Sequence, residues 1–304
     1  MHQDWSSAGF DAPPIAPHVG PFATPAFLST WSDHFDHVDT TAIVEDERGL
    51  VVLCERDGVL EFAGHGDVTD YHTPRGERVA DLLGAHMASR APGTEFRFDS
   101  LPVEAADVVQ RGVTLGGIEA SVVQHDVALV IELGASFDDH LAGMRKKQRH
   151  EMRRKRRRFE EGLGAARLER LSGPGAASRF ADMHRRASGD KGVFMSDEME
   201  AFFVDLEKHC GGLVDVLLAD AGRPLAMSFG FEDDETYYLY NSAFEPAERE
   251  HSPGIVLLEM LIRAAIAAGR RRVDLLKGDE EYKYRLGGAP RPLYLVAGTV
   301  GGNP

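Results

Sequence analysis

Two stretches of this 304-residue sequence bring together residue types that could transfer a chemical group. The first runs from Tyr237-Tyr238-Leu239-Tyr240-Asn241 through a polar loop to His251, then Ser252-Pro253-Gly254. A glycine-bearing loop that opens a helix exposes backbone N–H groups at the positive end of the helix dipole, and such a place binds phosphate. Gly254 would let a diphosphate approach the main chain closely. The same residues also make an ordinary helix start, with Ser252 as N-cap and Pro253 at the first helical position, and spacing alone does not separate the two readings. The second stretch is Asp274 to Gly287, where an apolar run opens into Lys277, Asp279, Glu280, Glu281, Tyr282, Lys283, Tyr284 and Arg285. Loops at strand ends commonly carry sites. A lysine there could steady a developing oxyanion, and a carboxylate could take a proton from an amine or hydroxyl. A solvated charged loop accounts for the composition equally well. There is no Gly-x-Ser-x-Gly elbow and no His-Glu-x-x-His pair among the thirteen scattered histidines, so neither an enzyme-bound acyl serine nor a metal site is expected.

The elements that must position these residues follow from pattern. Leu213–Ala221, Pro224–Glu232 and Thr236–Phe244 read as three strands joined by tight turns, an antiparallel meander. Pro253–Ala268 then reads as a helix ended by Gly269, and Val273–Leu276 as a short buried strand. Before the meander, Ala176–Ala187 and Ser196–Cys210 have helical spacing, with Ser196 as N-cap. Ser136–Gly162 reads as one long helix with an apolar stripe of Leu141, Met144, Met152, Phe159 and Leu163. In the N-terminal half, Phe27, Leu28, Trp31 and Phe35 recur at helical spacing, and Glu77–Ser89 is a second helix. Thr41–Glu45, Leu50–Glu55, Val59–Ala63, Phe96–Leu101, Val113–Val123 and Val127–Leu133 read as strands. Pro290–Val300 is a last strand.

The totals exclude several classes. Hydrophobic residues make up 43% of the chain, enough for a full core. Two cysteines, Cys54 and Cys210, do not make a disulfide framework, and a reducing, cytoplasmic setting is expected. The first ten residues lack the basic and apolar regions of a secretory signal, and no stretch approaches the roughly 20 apolar residues of a membrane span. The net charge of −15 argues against a surface devoted to nucleic acid, yet Arg145–Arg158 holds ten Lys/Arg against one acid, Glu151. That segment has three readings: a solvated helix face, a basic mouth for a phosphorylated ligand, or a contact for tRNA or another anionic surface.

Ser252-Pro253-Gly254-Ile255-Val256-Leu257-Leu258, then Asp274, Gly278-Asp279-Glu280 and Tyr282-Lys283 before Gly287, together resemble the acetyltransferase domain of the CelD/BcsL type known from cellulose biosynthesis. That domain belongs to the GNAT superfamily and is akin to the Fem-type aminoacyl transferases of peptidoglycan synthesis. The resemblance extends to Pro21–Phe35, Asp67–Tyr71 and Leu141–Phe159, and so to nearly the whole chain. It implies an α/β (α+β) fold of tandem GNAT-like domains, each a mixed, mostly antiparallel sheet flanked by helices. Residues 1–20 would be an irregular arm, 21–140 the N-terminal half, and 141–290 the acyltransferase half with its basic helix 141–162. Residues 291–304 would be a terminal strand returning to the first half, as in Fem-type folds. The resemblance further implies acetyl-CoA or another acyl-CoA as co-substrate, no metal, and direct transfer to an amine or hydroxyl of a small molecule or saccharide precursor, as in polysaccharide biosynthesis.

By family position, Asn241, Arg249, Ser252, Pro253, Gly254 and Ile255 would hold the donor. Lys283 would assist the acyl carbonyl, Asp279 or Glu280 would act as base, and Tyr282 or Tyr240 as acid. Asp70, Tyr71 and Asp274 would face the acceptor. GNAT phosphate loops carry several spaced glycines, whereas Arg249–Gly254 has one. That departure keeps two alternatives open: an aminoacyl-tRNA donor, as in Fem-type relatives, and a non-catalytic binding module on the same fold.

Overall fold

The computed structural model describes residues 8–35, 40–187 and 189–301. Residues 1–7 of the expected arm and 302–304 of the terminal segment lie outside it. The chain divides into two compact units, Met1–Ala128 with Arg291–Pro304, and Leu129–Pro290.

In the first unit, α1 is Pro25–His34, and strands β1 Thr40–Asp46, β2 Gly49–Arg56, β3 Val59–Phe62 and β4 Arg75–Gly76 follow. Then come α2 Val79–Ala88, β5 Glu95–Pro102, α3 Val103–Leu115 and β6 Ser121–Glu132, which carries the chain onward. Thr24 opens α1 by accepting from Phe27 N–H, and Phe27, Leu28 and Trp31 are buried, as their helical spacing predicts. β1–β2–β3 is an antiparallel meander, and β3 pairs in parallel with β5. The stretch expected as a strand over Val113–Val123 is instead the end of α3, a turn, and the start of β6. α3 buries Ala105, Ala106, Val109, Gly112 and Val113, a stripe of small residues that hydropathy alone does not flag. The small residues are needed because α3 lies close on α2: a β-carbon on Gly84 would stand 2.9 Å from Leu115 Cβ. The arm is irregular but tied down: Ala16 and Val19 are buried, and Ile15 N–H reaches Pro74 O.

The second unit begins with α4 Phe137–Gly143 and α5 Lys146–Leu163, followed by β7 Arg167–Arg170, α6 Ala176–Arg185, α7 Asp190–Phe194 and α8 Asp197–His209. Strands β8 Leu213–Leu218, β9 Pro224–Glu232 and β10 Thr236–Phe244 form the expected meander. α9 Pro253–Ala267, β11 Arg272–Lys277 and α10 Glu281–Arg285 complete it. The single helix expected over 136–162 is two helices. Ser136 caps α4, the chain extends at Met144 and Arg145, and Gln148 Oε1 accepts from Arg145 N–H to start α5. Ser196 caps α8 as expected. β10 pairs in parallel with β11, while β7–β8–β9–β10 is antiparallel. β12, Ala289–Thr299, belongs from Arg291 onward to the first unit and pairs there antiparallel with β5, from Leu293↔Pro102 to Thr299↔Glu95. In each unit the described pairings are thus mixed and mostly antiparallel, with helices beside the strands.

Candidate active site

β10 and β11 pair only through Thr236↔Arg272, Tyr237↔Val273 and Tyr238↔Asp274. Beyond Tyr238 the two strands part, although β10 runs on to Phe244, and the rest of β10 is paired along β9 alone. A bulge at Tyr240 marks the parting: Leu239 faces Gly230, and Asn241 faces Phe229. Bulges are frequent beside active sites because the extra residue re-aims the side chains that follow. The ring of Tyr240 stacks on Phe203 of α8, 5.4 Å between centroids. Asn241 Oδ1 accepts from His184 Nε2 of α6 at 3.1 Å and from Ser242 N–H at 2.8 Å. His184 is 1% exposed, and no sequence motif pointed to it.

β10 leads into a short 3-10 turn over Pro246–His251 and then α9. Pro253 takes the first helical position, as expected, but Ser252 does not cap with its side chain. Its backbone is left-handed, φ 56°, because the 3-10 turn must reverse before α9 can begin. The expected row of free amides is also reduced. Ser252 N–H donates to Arg249 O, and Ile255 and Val256 N–H both donate to Ser252 O, which leaves Gly254 with the unengaged amide of the first turn. A β-carbon on Gly254 would meet Phe244 at an ordinary 3.4 Å, so packing within the chain does not demand glycine here. Arg249 is exposed on the approach, and its guanidinium has no ion partner among the described residues. One free amide, the helix dipole and one guanidinium suit a single phosphate group.

The loop after β11 is built around two buried charges. Asp274, 1% exposed, accepts from Leu276 N–H at 2.8 Å and so holds the turn in which Leu276 takes φ 56°. The structure thus gives Asp274, expected at the acceptor, a part in holding this turn. Lys283, 3% exposed, donates from Nζ to the carbonyls of Lys277 at 2.6 Å and of Leu276 and Gly278 at 3.3 Å, and pairs with Glu280 at 3.0 Å. An ammonium has three N–H donors, and here four acceptors use them. Lys283, expected to assist the acyl carbonyl, here holds the turn through these contacts. Tyr282, Lys283 and Tyr284 all lie in α10.

The helical twist turns Tyr282 away from Lys283 and into a small open cleft of about 40 Å³ shared with Ile255, Met152, Lys155 and Arg285. Burial, then Glu280, pushes the Tyr282 phenol well above its ordinary pKa, so it keeps its proton at neutral pH. Tyr284 donates to Asp279 Oδ1, and that bond raises its pKa. Asp279 and Glu280 are both exposed, each with one partner in this loop.

In the first unit Asp70 is part-exposed, but Tyr71 has no exposed surface. Its ring sits edge-on to Phe22 at 6.3 Å and beneath the Arg291 guanidinium at 4.8 Å. Tyr71, expected at the acceptor, is thus packed within the first unit. Along α5, Lys146, Lys147, His150, Arg153, Arg154 and Arg157 are exposed at helical spacing. Among the described residues Lys146, Lys147, Arg153 and Arg154 have no carboxylate partner, while Arg157 pairs with Glu161. No three described His, Cys, Asp or Glu side chains are grouped to hold a metal ion, and no described helix is long and apolar enough to cross a membrane.

A strand pair that parts beside a helix start, behind an antiparallel meander, can be compared with known proteins. Residues 146–284 match the family model of the acetyltransferase (GNAT) domain. The fold is that of GNAT acyltransferases. FemX superposes with a TM-score of 0.64 at 9% identity, covering 97% of this chain and 96% of its own. The C-terminal domain of a putative lysylphosphatidylglycerol synthetase from Agrobacterium fabrum gives 0.61 at 12%, covering 95% and 90%. A tandem GNAT protein from the clavulanic acid biosynthesis pathway gives 0.50 at 12%, covering 99% and 97%. No curated protein matches the chain. At these identities the structural likeness concerns fold.

Proposed function

We propose that this chain is an acyl-CoA-dependent acyltransferase that moves an acetyl or other acyl group directly to an amine or hydroxyl, with a cell-envelope saccharide precursor as acceptor. This is the chemistry of the CelD/BcsL branch, carried out in the cytoplasm. The observation that carries the reading is the parting of β10 from β11 after Tyr238, with the start of α9 just beyond it. The parting makes a slot for an extended pantetheine arm, and Gly254 N–H with Arg249 offers a phosphate contact at its end. In the transfer, the acceptor's lone pair attacks the thioester carbon, the carbonyl oxygen gathers charge, and the C–S bond breaks with its electron pair going to sulfur. Tyr282, holding its proton beside Ile255, supplies the proton to the leaving thiolate. Asp279 and Glu280 are the carboxylates at hand to take the acceptor's proton.

The exposed basic face of α5, with Lys146, Lys147, Arg153 and Arg154 facing no described carboxylate, favours a second reading, an aminoacyl-tRNA donor as in Fem-type transferases. One titration separates them. Acetyl-CoA at 100 times its Kd should stabilise the protein by about 2.7 kcal/mol in a thermal melt. A melt unmoved by acetyl-CoA or coenzyme A, with tRNA retained in a steeply salt-dependent way, would replace the first reading by the second. Silence toward both would leave a binding module.

A further inference from the structure

Beyond the donor slot, and resting on the acyl-CoA reading of it, we propose that His184 is a positioning residue that turns the Asn241 carboxamide toward the acyl carbonyl. The bulge at Tyr240 is the first ground. Opposed residues in an antiparallel pair share a face, and Asn241 opposes Phe229. Phe229 packs against Phe203 of α8 and Phe180 of α6. Asn241 therefore points to the α6–α8 side, as does Tyr240 on Phe203. Without the extra residue, Asn241 would fall opposite Ser228 and point to the other face.

The second ground is the state of the amide. An amide oxygen only accepts, so the bond at 3.1 Å is donated by His184 Nε2–H, and the bond at 2.8 Å by Ser242 N–H. These two donors fix the oxygen and settle which end of the carboxamide is NH2. That NH2 has no protein partner among the described hydrogen bonds, and Asn241 is part-exposed on the segment of β10 that has already left β11. Two fixed N–H donors at the mouth of a parted strand pair are the arrangement that stabilises charge arriving on a carbonyl oxygen. His184 reaches no substrate in this scheme. It acts through Asn241, held 1% exposed between Phe180 and Phe194.

The test uses the full-length protein and compares the affinity of acetyl-CoA with that of coenzyme A, which lacks the carbonyl, by calorimetry. The wild type should prefer acetyl-CoA by about three- to tenfold, the range of one net neutral hydrogen bond. Asn241→Ala and His184→Ala should abolish that preference, so that acetyl-CoA binds no better than coenzyme A. His184→Gln, whose amide can donate along the same direction, should restore it. Should His184→Ala not fold, the half-exposed Asn241→Ala and the Gln variant decide. A preference that survives in Asn241→Ala, or an equal loss of both affinities in the folded His184 variants, overturns the inference while leaving the donor reading intact. Absence of binding to either ligand by the wild type removes the donor reading and this inference with it.

Discussion

Replacing Lys283 by methionine separates two roles that the sequence alone merges. Methionine keeps the reach of the side chain and removes the ammonium. In the folded protein Nζ makes one short bond, 2.6 Å to Lys277 O, two at 3.3 Å to Leu276 O and Gly278 O, and an ion pair to Glu280 at 3.0 Å. Hydrogen bonds from a charged donor contribute about 1.5–3 kcal/mol, and acceptors left buried add to the loss. Relief from burying an ammonium works the other way. The short bond decides the sum, and the expected net cost is about 2–3 kcal/mol. For a unit of this size each kcal/mol lowers Tm by about 2–4 °C, so Lys283→Met should melt roughly 4–12 °C early. A matched pair of thermal melts by circular dichroism and acyl-transfer assays reads both roles. If the variant melts with the wild type and yet loses turnover, the ammonium is not holding the turn, and its place is on the substrate.

Other substitutions test other parts of the structure. Gly254→Ala puts a better helix former at a site with room for its β-carbon, so stability should rise by about 0.5–1 kcal/mol while coenzyme A binds more weakly; unchanged affinity would take the diphosphate away from this amide. Cys54 is 1% exposed and burial, then Glu61, pushes its thiol up to about 12, whereas Cys210 is part-exposed, so a thiol reagent at pH 8 should label one cysteine in the native protein and two after denaturation. His65 is held down to about 4 by burial, then by Arg56, and burial also lowers His86 and His140. The unfolded chain then binds more protons than the folded one between the folded values and about 6.5, so stability should be full above about pH 6.5 and fall as the pH drops toward 4; His65→Gln should flatten part of that slope in urea melts at pH 5 and pH 7.

The parts of the fold that were legible in sequence are those where one physical signal dominates. The meander from Leu213 to Phe244 reads correctly because turn residues punctuate apolar strands, and α9 because Pro253 and Gly269 bracket an apolar helix. α3 was hidden because three of the five residues in its buried stripe are Ala105, Ala106 and Gly112, whose value lies in letting α2 approach rather than in hydropathy. The break between α4 and α5 was hidden because Gln148 must fold back on Arg145 N–H, a bond that no periodicity announces. The site was legible at the level of segments and not of atoms. Ser252, Lys283 and Asp274 have the types and places that the chemistry wants, yet the backbone consumes them: a left-handed turn at Ser252, three carbonyls on Lys283, and the amide of Leu276 on Asp274. What the sequence could not announce is how these commitments free other groups. Tyr282 reaches the cleft because α10 coils, and α10 coils where Lys283 pins the end of β11. Asn241 reaches the α6 side because β10 takes in one extra residue.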